Sequence, residues 1–455
     1  GITLVLVCLV AGVIYACGIF YFKDKFFTGT TINSIEASYD TVEEVEAIVA
    51  SQVAKYRLLV KERGGSEDTI QAADIGYQYA PAGEIKGFKE DQKAYKWPLM
   101  LVKSFSYEFA SAATYNVSEL KTAIDGLTCF KPQVEKAPED AKLTFNGTTY
   151  ELKKEQQGQK VIREKAEAVI RKAIETGKTT VDLDAEDCYE KPSLTSGDPV
   201  LRKKYERLYH YTSVRVTYDF GDQKETLDGS AINNWLKVDE DGTVTLDSDA
   251  VAEYVYGLAQ KYDTYGKTRS FKTHDGSTVE VSGGAYGWLI DQNAENEQLL
   301  SILKDGLQVE REPVYAQTAS TRRNCDLGNS YVEVDLSRQH LWMYRDGVVI
   351  LECDFVSGDT SKGNTTPPGV YSLYYKTSPF VLKSDTPGDS YETPVTYWMP
   401  FNGGIGFHDA SWRGSFGGNI YTYSGSHGCV NMPTWAAAQM YENISAGYPI
   451  ICYYR

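Results

Sequence analysis

The chain opens with an uninterrupted apolar run, residues 1–22, in which no side chain is charged. In a helix that rises 1.5 Å per residue, a run of this length reaches about the 30 Å thickness of a bilayer core. It is too long for the apolar part of a cleaved signal peptide and ends in the bulky pair Tyr21-Phe22. We therefore expect an uncleaved transmembrane anchor. A weaker alternative is lipidation at Cys17, which the bulky Tyr15 disfavours.

The run begins at Gly1 without an initiator Met or a basic flank, so we expect a cytoplasmic start to be missing from the chain. Beyond the anchor, residues 30–118 are expected to form an N-terminal α+β region. Its clearest element is a helix over 42–61, which the capping box Thr41-x-x-Glu44 begins and Gly64-Gly65 ends.

Two middle segments each combine a hairpin with helical periodicity, which predicts α+β modules over 119–199 and 200–320. The first has a hairpin around Asn146-Gly147, a helix over 161–176 and a strand over 179–183. The second has helices over 249–262 and 295–303 and a hairpin-like turn at His274-Asp275-Gly276. A linker near 318–327 follows.

From residue 328 to 455 the pattern changes to strands with alternating apolar positions, predicted over 331–336, 341–344, 348–356 and 369–375. A single helix is predicted over 433–445. The fold class is therefore α+β multidomain, with a mostly-β C-terminal domain, α+β accessory modules and an N-terminal transmembrane helix.

Composition limits the possible functions. Lysine and arginine number 46 against 62 acidic residues, a formal net charge of −16, which argues against a nucleic-acid binder. The cysteines outside the anchor show no CxxC or zinc-ligand spacing. Cys129 and Cys188 flank one predicted module and are the first guess for a disulfide, although spacing alone cannot establish the pairing.

The candidate chemistry lies in the C-terminal domain, in Ser424-Gly425-Ser426-His427-Gly428-Cys429-Val430-Asn431, with His408 upstream. A thiol becomes an acyl-transfer nucleophile when a base, a group that orients the base and oxyanion donors surround it. Two of the five histidines accompany one cysteine here.

This stretch resembles the signature of the YkuD-type L,D-transpeptidases, a His, a spacer and then Ser/Thr-His-Gly-Cys-x-Asn. The spacer between His408 and Ser426 holds 17 residues. Thr366-Pro367-Pro368-Gly369 and Tyr331-Val332-Glu333-Val334 add to the resemblance, which covers about residues 330–455.

The resemblance implies that Cys429 is the nucleophile and His408 the general base. It implies that the carbonyl of Asp409 orients the base, with a possible part for its side chain, and that His427 lies close to an oxyanion hole made by the amides of Gly428 and Cys429. The expected supporting and substrate-binding residues are Ser426, Trp412, Tyr421 and Asn431, with Arg413 and Tyr423 in the same spacer.

The resemblance further implies peptidoglycan crosslinking between a donor and an acceptor stem peptide, acylation by carbapenems, and no metal or organic cofactor. Ile232-Asn233-Asn234-Trp235-Leu236 and Gly284-Ala285-Tyr286-Gly287-Trp288 resemble peptidoglycan-binding modules. The expected location is the cell membrane, crossed once, with the body at the cell wall. Two alternatives stay open: an L,D-carboxypeptidase, and a non-catalytic wall-binding protein with Cys429 in a disulfide.

Overall fold

A computed structural model describes residues 1–109, 113–384 and 390–455. They form two compact units, Gly1–Lys142 with Lys153–Asp198 and Leu143–Leu152 with Pro199–Arg455. Residues 110–112 of the predicted N-terminal region and 385–389 of the predicted C-terminal domain lie outside the described residues. Both units mix helices with short sheets, which confirms the α+β class.

The chain begins with the helix Ile2–Tyr21, in which no residue is buried. By length and composition this helix could cross a membrane, and a signal sequence would have the same features. The predicted apolar helix is confirmed, while its role as an anchor stays a prediction.

The helix Val42–Val53 begins at the predicted capping box. The Thr41 hydroxyl accepts a hydrogen bond from the Glu44 amide, and the Glu44 carboxylate accepts one from the Thr41 amide. The prediction that the helix continues to Lys61 is wrong, because the chain leaves the helix at Ala54.

Residues Arg57–Lys61 instead form a strand between Glu67–Gln71, which is antiparallel to it, and Thr180–Asp182, which is parallel. Gly64-Gly65 is therefore the turn between two strands. The pairing with Thr180–Asp182 is remote in sequence, so no local periodicity reveals it.

The rest of the first unit is built around two apolar clusters. Its other helices are the α-helices Glu84–Asp91, Val117–Asp125 and Arg163–Glu175 and the 3-10 helices Ala72–Ile75, Ala94–Leu101 and Thr128–Phe130. Its other strands are Thr30–Ile32, Ile35–Glu36, Gln78–Tyr79, Phe105–Tyr107 and Ala113–Thr114. The predicted hairpin is confirmed as Lys142–Phe145 with Tyr150–Lys153, and its residues Leu143–Leu152 belong to the second unit.

Cys129 and Cys188 lie in the same buried cluster, yet both are free thiols, so the guessed disulfide is wrong. Each sulfur has its own partner: the Cys129 thiol faces the Glu62 carboxylate, and the Cys188 thiol donates to the carbonyl of Glu186 at 3.6 Å.

The second unit contains an α+β module and the C-terminal domain. The module has the helices Pro199–Thr212, Gly229–Ile232, Ser248–Tyr262 and Gln292–Asp305 and the 3-10 helix Asn233–Trp235. Its central sheet has the order Lys224–Leu227, Arg215–Asp219, Gln308–Arg311. Smaller pairs are Leu236–Val238 with Val244–Leu246, Arg269–Lys272 with Thr278–Val281, and Leu289–Ile290 with Tyr315–Gln317. The predicted helices and the turn at His274-Asp275-Gly276 are confirmed.

The C-terminal domain packs two sheets and one helix around a single apolar core. The larger sheet has the order Val348–Asp354, His340–Arg345, Tyr331–Asp335, Pro449–Tyr453, Gly369–Ser372. The smaller one has the order Trp398–Asn402, Ile405–Asp409, Val430–Met432. The helix Thr434–Asn443, the hairpin Phe380–Ser384 with Tyr391–Val395, and the 3-10 helices Thr360–Lys362 and Ile420–Thr422 complete it.

The hairpin of the module, Arg269–Lys272 with Thr278–Val281, packs on the larger sheet of the C-terminal domain. Phe271 is fully buried, with its ring 5.7 Å from that of Tyr331 and 6.2 Å from that of Tyr453. At the turn, the Asp275 carboxylate accepts hydrogen bonds from Arg338 at 2.8 Å and from Arg455 at 2.6 Å. Apolar and ionic contacts therefore join the two parts of this unit.

Candidate active site

Cys429 lies at the start of the strand Val430–Met432, which runs parallel to Ile405–Asp409. The register sets His408 opposite Asn431 and Phe407 opposite Val430, so Cys429, which precedes Val430, lies beside the first half of the strand that carries His408. Cys429 is 8% exposed, and its Sγ donates to the carbonyl of Gly404 at 3.6 Å. Burial raises the pKa of the Cys429 thiol to about 11, so the group is protonated at neutral pH.

His408 is buried, and its Nδ1 donates to the backbone carbonyl of Asp409 at 3.0 Å. Burial lowers the pKa of the His408 imidazole, and it outweighs the hydrogen bond to the Asp409 carbonyl and the charge of Asp409, which raise this pKa, while the Arg413 cation adds a smaller lowering effect. The ring is therefore neutral at pH 7, with its proton on Nδ1 and a lone pair on Nε2.

The Asp409 carboxylate points away from the ring. Its Oδ1 accepts hydrogen bonds from the amides of Thr396 and Tyr397, each at 2.8 Å. The backbone carbonyl of Asp409 accepts from His408, as predicted. Its side chain instead binds the backbone of Thr396 and Tyr397, just before the strand Trp398–Asn402.

Asn431 connects His408 to Arg413. The hydrogen-bond network fixes its amide so that Nδ2 donates to His408 Nε2 at 2.9 Å, while Oδ1 accepts from Arg413 Nε at 2.9 Å and Nη2 at 3.3 Å. Arg413 also donates from Nη1 to the carbonyl of Ser424 at 2.8 Å. The sequence placed Arg413 in the spacer but gave no signal for this link.

The thiol loop is closed by Ser426. Its hydroxyl donates to the Cys429 carbonyl at 2.5 Å and accepts from the Gly428 amide at 3.0 Å. The Gly428 amide thus has an acceptor inside the loop, and its expected role as an oxyanion donor stays a prediction. Gly428 has φ +120°, and a Cβ there would lie 3.1 Å from the Ile405 side chain, so the position requires glycine.

A neighbouring segment supports the loop from below. The buried Thr366 hydroxyl donates to the Gly428 carbonyl at 2.7 Å and accepts from the Gly358 amide at 3.0 Å. The Ser426 carbonyl accepts from the Asp359 amide at 2.8 Å, and the Asp359 carboxylate accepts from the Gly425 amide at 3.2 Å. The loop therefore has little freedom to move.

A cavity of about 480 Å³ opens over the thiol. The predicted residues that line it are His408, Trp412, Arg413, Ser426, His427, Cys429 and Asn431. Trp412 is half exposed, and its ring lies 6.0 Å from that of His408. Tyr421 lies in the 3-10 helix Ile420–Thr422 and is absent from the lining formed by the described residues.

The other wall of this cavity was not predicted from the sequence. Leu382 and residues 391–394 line it, and the Tyr391 ring stacks on His427 with centroids 4.7 Å apart. The alternating runs on either side of Pro387-Gly388 are a hairpin signal that could have identified this element, but not its place over the cavity.

The other histidines have structural partners. His210 contacts the carbonyl of Lys304 at 2.9 Å, His340 pairs with Asp354 at 2.6 Å, and His274 stacks on Trp342. Across the described ranges, no group of three or more His, Cys, Asp or Glu side chains is arranged to hold a metal ion.

Comparison with known families agrees with this geometry. Residues 329–452 match the model of the YkuD L,D-transpeptidase catalytic domain, and residues 83–182 and 205–310 match that of a peptidoglycan-binding domain. No curated protein matches the chain.

Three solved structures are among those similar to it. The crystal structure of a cysteine-to-serine mutant of the Enterococcus faecium L,D-transpeptidase is 35% identical, over 55% of this chain and 100% of that one, with a TM-score of 0.47. The catalytic domain of the E. faecium enzyme acylated by ertapenem is 40% identical over 28% and 98%, with a TM-score of 0.26. An L,D-transpeptidase from Mycobacterium smegmatis is 25% identical over 28% and 58%, with a TM-score of 0.25.

The family models and the sequence identity along the whole E. faecium chain indicate the same family. The protein belongs to the L,D-transpeptidase family, with a YkuD catalytic domain at its C-terminal end and peptidoglycan-binding domains before it.

Proposed function

We propose that this protein is a membrane-anchored enzyme that crosslinks peptidoglycan by L,D-transpeptidation, with Cys429 as nucleophile and His408 as general base. The observation that supports this most directly is the cavity that the Cys429 thiol shares with the neutral His408 imidazole. Its loop, Ser426-His427-Gly428-Cys429, is held by Thr366 and Asp359, so the thiol is set in place before substrate arrives.

In the first step, the Asn431 amide gives up its hydrogen bond to His408 Nε2, and the freed lone pair takes the proton of the Cys429 thiol as the sulfur attacks the carbonyl between the L-centre and the terminal D-residue of a tetrapeptide stem. The peptide C–N bond breaks, and the imidazolium returns the proton to the leaving amine. The terminal D-residue departs, and the donor is held as a thioester on Cys429. A thiol with a raised pKa fits this sequence, because attack and proton transfer are coupled.

In the second step, an amine of a neighbouring stem attacks the thioester carbonyl. His408 takes a proton from that amine, the C–S bond breaks, and the thiol of Cys429 is restored as the crosslink forms. Water in place of the amine would give the L,D-carboxypeptidase reaction.

We propose roles for the other residues around the cavity. The amide of Cys429 is the proposed oxyanion donor, with His427 at the same cavity, because the Gly428 amide already donates to Ser426. The Asp409 carbonyl orients His408, and Trp412 forms a wall for the donor stem. Ser426 and Asn431 position the loop and the base. Tyr421 has no proposed substrate contact.

The two middle regions, proposed over 119–199 and 200–320, would hold wall strands near the catalytic domain, proposed over 328–455. The segment 1–22 would anchor the chain, with the N-terminal region 30–118 next to it and the body outside the membrane at the cell wall. The non-catalytic alternative required Cys429 in a disulfide, and Cys429 is a free thiol in the structure.

The test is intact-mass spectrometry of the full chain in detergent after incubation with a carbapenem. Because the E. faecium catalytic domain is acylated by ertapenem, we expect one adduct on the wild type and none on Cys429→Ala. The matched control is Cys325→Ala, since Cys325 is a more exposed free thiol of the same unit and should leave the adduct intact. An adduct on Cys429→Ala, or its loss in Cys325→Ala alone, would contradict the proposal.

A further inference from the structure

The 3-10 helix Ala94–Leu101 lies against the C-terminal half of the first helix. The Tyr15 hydroxyl donates to the carbonyl of Tyr95 at 2.9 Å, and Trp97 Nε1 donates to the carbonyl of Tyr15 at 3.1 Å. The Trp97 ring covers Gly18 so closely that a Cβ there would lie 2.4 Å from it. This fit is specific to a glycine at that position.

These contacts define how deep the 3-10 helix Ala94–Leu101 would lie in a membrane that the first helix crosses. The first helix has 20 residues, so at 1.5 Å per residue it matches a bilayer core of about 30 Å. Tyr15 is six residues before the last helical residue, Tyr21, which places it about 9 Å inside that end of the span. If the helix crosses a membrane, the parts of Tyr95 and Trp97 that bind Tyr15 lie about 9 Å below that end of the span, within the acyl region of the leaflet.

The side chains around Ala94–Leu101 fit a position in this leaflet. Leu101 is 71% exposed and Val102 83% exposed, and Leu99 and Tyr95 are also exposed. An apolar patch of this kind is unusual on a surface that faces only water. Tyrosine and tryptophan are the residues typical of the membrane interface.

Lysines complete the pattern. Lys93, Lys96 and Lys103 flank the patch and are exposed. The ammonium of Lys96 lies 5.8 Å from the Tyr95 ring, and that of Lys103 lies 5.3 Å from the Phe105 ring. Their apolar stems can follow the patch while their charges reach lipid phosphates.

We propose that residues 93–103 form a membrane-docking segment that inserts Leu99, Leu101 and Val102 into the outer leaflet beside the first helix. The occupant of this surface is the phospholipid bilayer, because the patch is continuous with a helix of which no residue is buried. The inference rests on the proposed anchoring of the chain. It adds a second membrane contact, which would hold the first unit against the bilayer.

The test uses the full chain in vesicles of phosphatidylglycerol and phosphatidylcholine whose acyl chains are brominated or unbrominated. Bromine quenches tryptophan that contacts the acyl region. Val102→Trp and, as a second probe, Leu101→Trp place a reporter in the patch. Val348→Trp is the matched control, because Val348 is 64% exposed and lies on a strand of the C-terminal domain.

We expect brominated lipid to quench the added emission of Val102→Trp and Leu101→Trp but not that of Val348→Trp. Trp97→Phe should remove a quenchable part of the parent emission. Equal insensitivity of both patch probes and the control would overturn the docking segment. Flotation of the parent chain with the vesicles separates the two claims. A chain that does not float overturns anchoring and docking together, and one that floats with unquenched probes overturns docking alone.

Discussion

Asn431 donates a hydrogen bond to the proposed base. Arg413 donates twice to its Oδ1, so the Asn431 Nδ2 must face His408 Nε2 and can only donate to it. If Nε2 were protonated, its N–H would face the N–H of the Asn431 amide, and neither donor would have an acceptor. The amide therefore favours the neutral imidazole, in the same direction as the burial that lowers the pKa of His408.

The pH dependence of acylation tests this link. The active form of His408 is neutral, so activity is present above its pKa and is lost as the pH falls through it. Because that pKa is lowered, the acid limb of the wild type should lie below the ordinary histidine value of 6.5. Asn431→Asp replaces the donor by an anion that stabilises the imidazolium, so its acid limb should move to higher pH.

The measurement is the rate of carbapenem acylation against pH. Asn329→Asp, an exposed position in the same domain, is the control and should keep the wild-type profile. An unchanged acid limb in Asn431→Asp would show that the amide does not control the base.

Asp409 offers a second test at the residue scale. Both amides that its carboxylate binds use Oδ1, and an asparagine can accept the same two bonds. Asp409→Asn should therefore keep the acylation rate within a few-fold, whereas loss of an orienting carboxylate in a catalytic triad costs about 10⁴-fold. Asp409→Ala, which leaves two amides unpaired, should lower the free energy of unfolding by about 1–3 kcal/mol per amide. A large loss of rate in a stably folded Asp409→Asn would contradict the structural role.

At the scale of elements, the thiol loop depends on Thr366. Thr366→Val keeps the shape of the side chain but leaves the Gly428 carbonyl and the Gly358 amide without their partner. We expect a loss of about 1–3 kcal/mol of unfolding free energy for each buried group left unpaired, and slower acylation because Gly428 precedes the nucleophile. Thr365→Val, at the exposed neighbouring position, should change neither. Denaturant unfolding and acylation kinetics measure both effects, and wild-type behaviour of Thr366→Val would refute the support role.

Among the helices and strands, those with local sequence signals could be predicted, and those set by contacts with remote segments could not. Thr41 and Glu44 predicted the start of a helix because a capping box is local, whereas its end was missed because Arg57–Lys61 pairs with a strand remote in the chain. The resemblance of the motif pointed to His408 and Cys429 together, and both residues line one cavity, while their catalytic roles stay proposals. The link from Asn431 to Arg413 and the wall at Tyr391 arise from strand register and hairpin placement, which a single sequence does not encode locally.

At the scale of the whole molecule, the hairpin Arg269–Lys272 with Thr278–Val281 stabilises the catalytic domain on which it packs. Phe271→Ala removes a fully buried ring from between Tyr331 and Tyr453 and should cost about 3–5 kcal/mol of unfolding free energy. The effect should reach the catalytic sheet, with faster amide hydrogen exchange in Tyr331–Asp335 and Pro449–Tyr453. Phe220→Ala, equally buried but in the core of the module, is the control and should expose module strands instead. Unchanged exchange in the catalytic sheet of Phe271→Ala would contradict the coupling.

The central claim is that Cys429 transfers an acyl group from one peptide stem to another. The most direct measurement is mass spectrometry of the products from a disaccharide-tetrapeptide donor, which also supplies the acceptor amine, with wild type, Cys429→Ala and Cys325→Ala. We expect a thioester on the wild type, release of the terminal D-residue and a crosslinked dimer, all absent in Cys429→Ala and all retained in Cys325→Ala. Tripeptide without dimer would make the protein a carboxypeptidase, and dimer formed by Cys429→Ala would show that Cys429 is not the nucleophile.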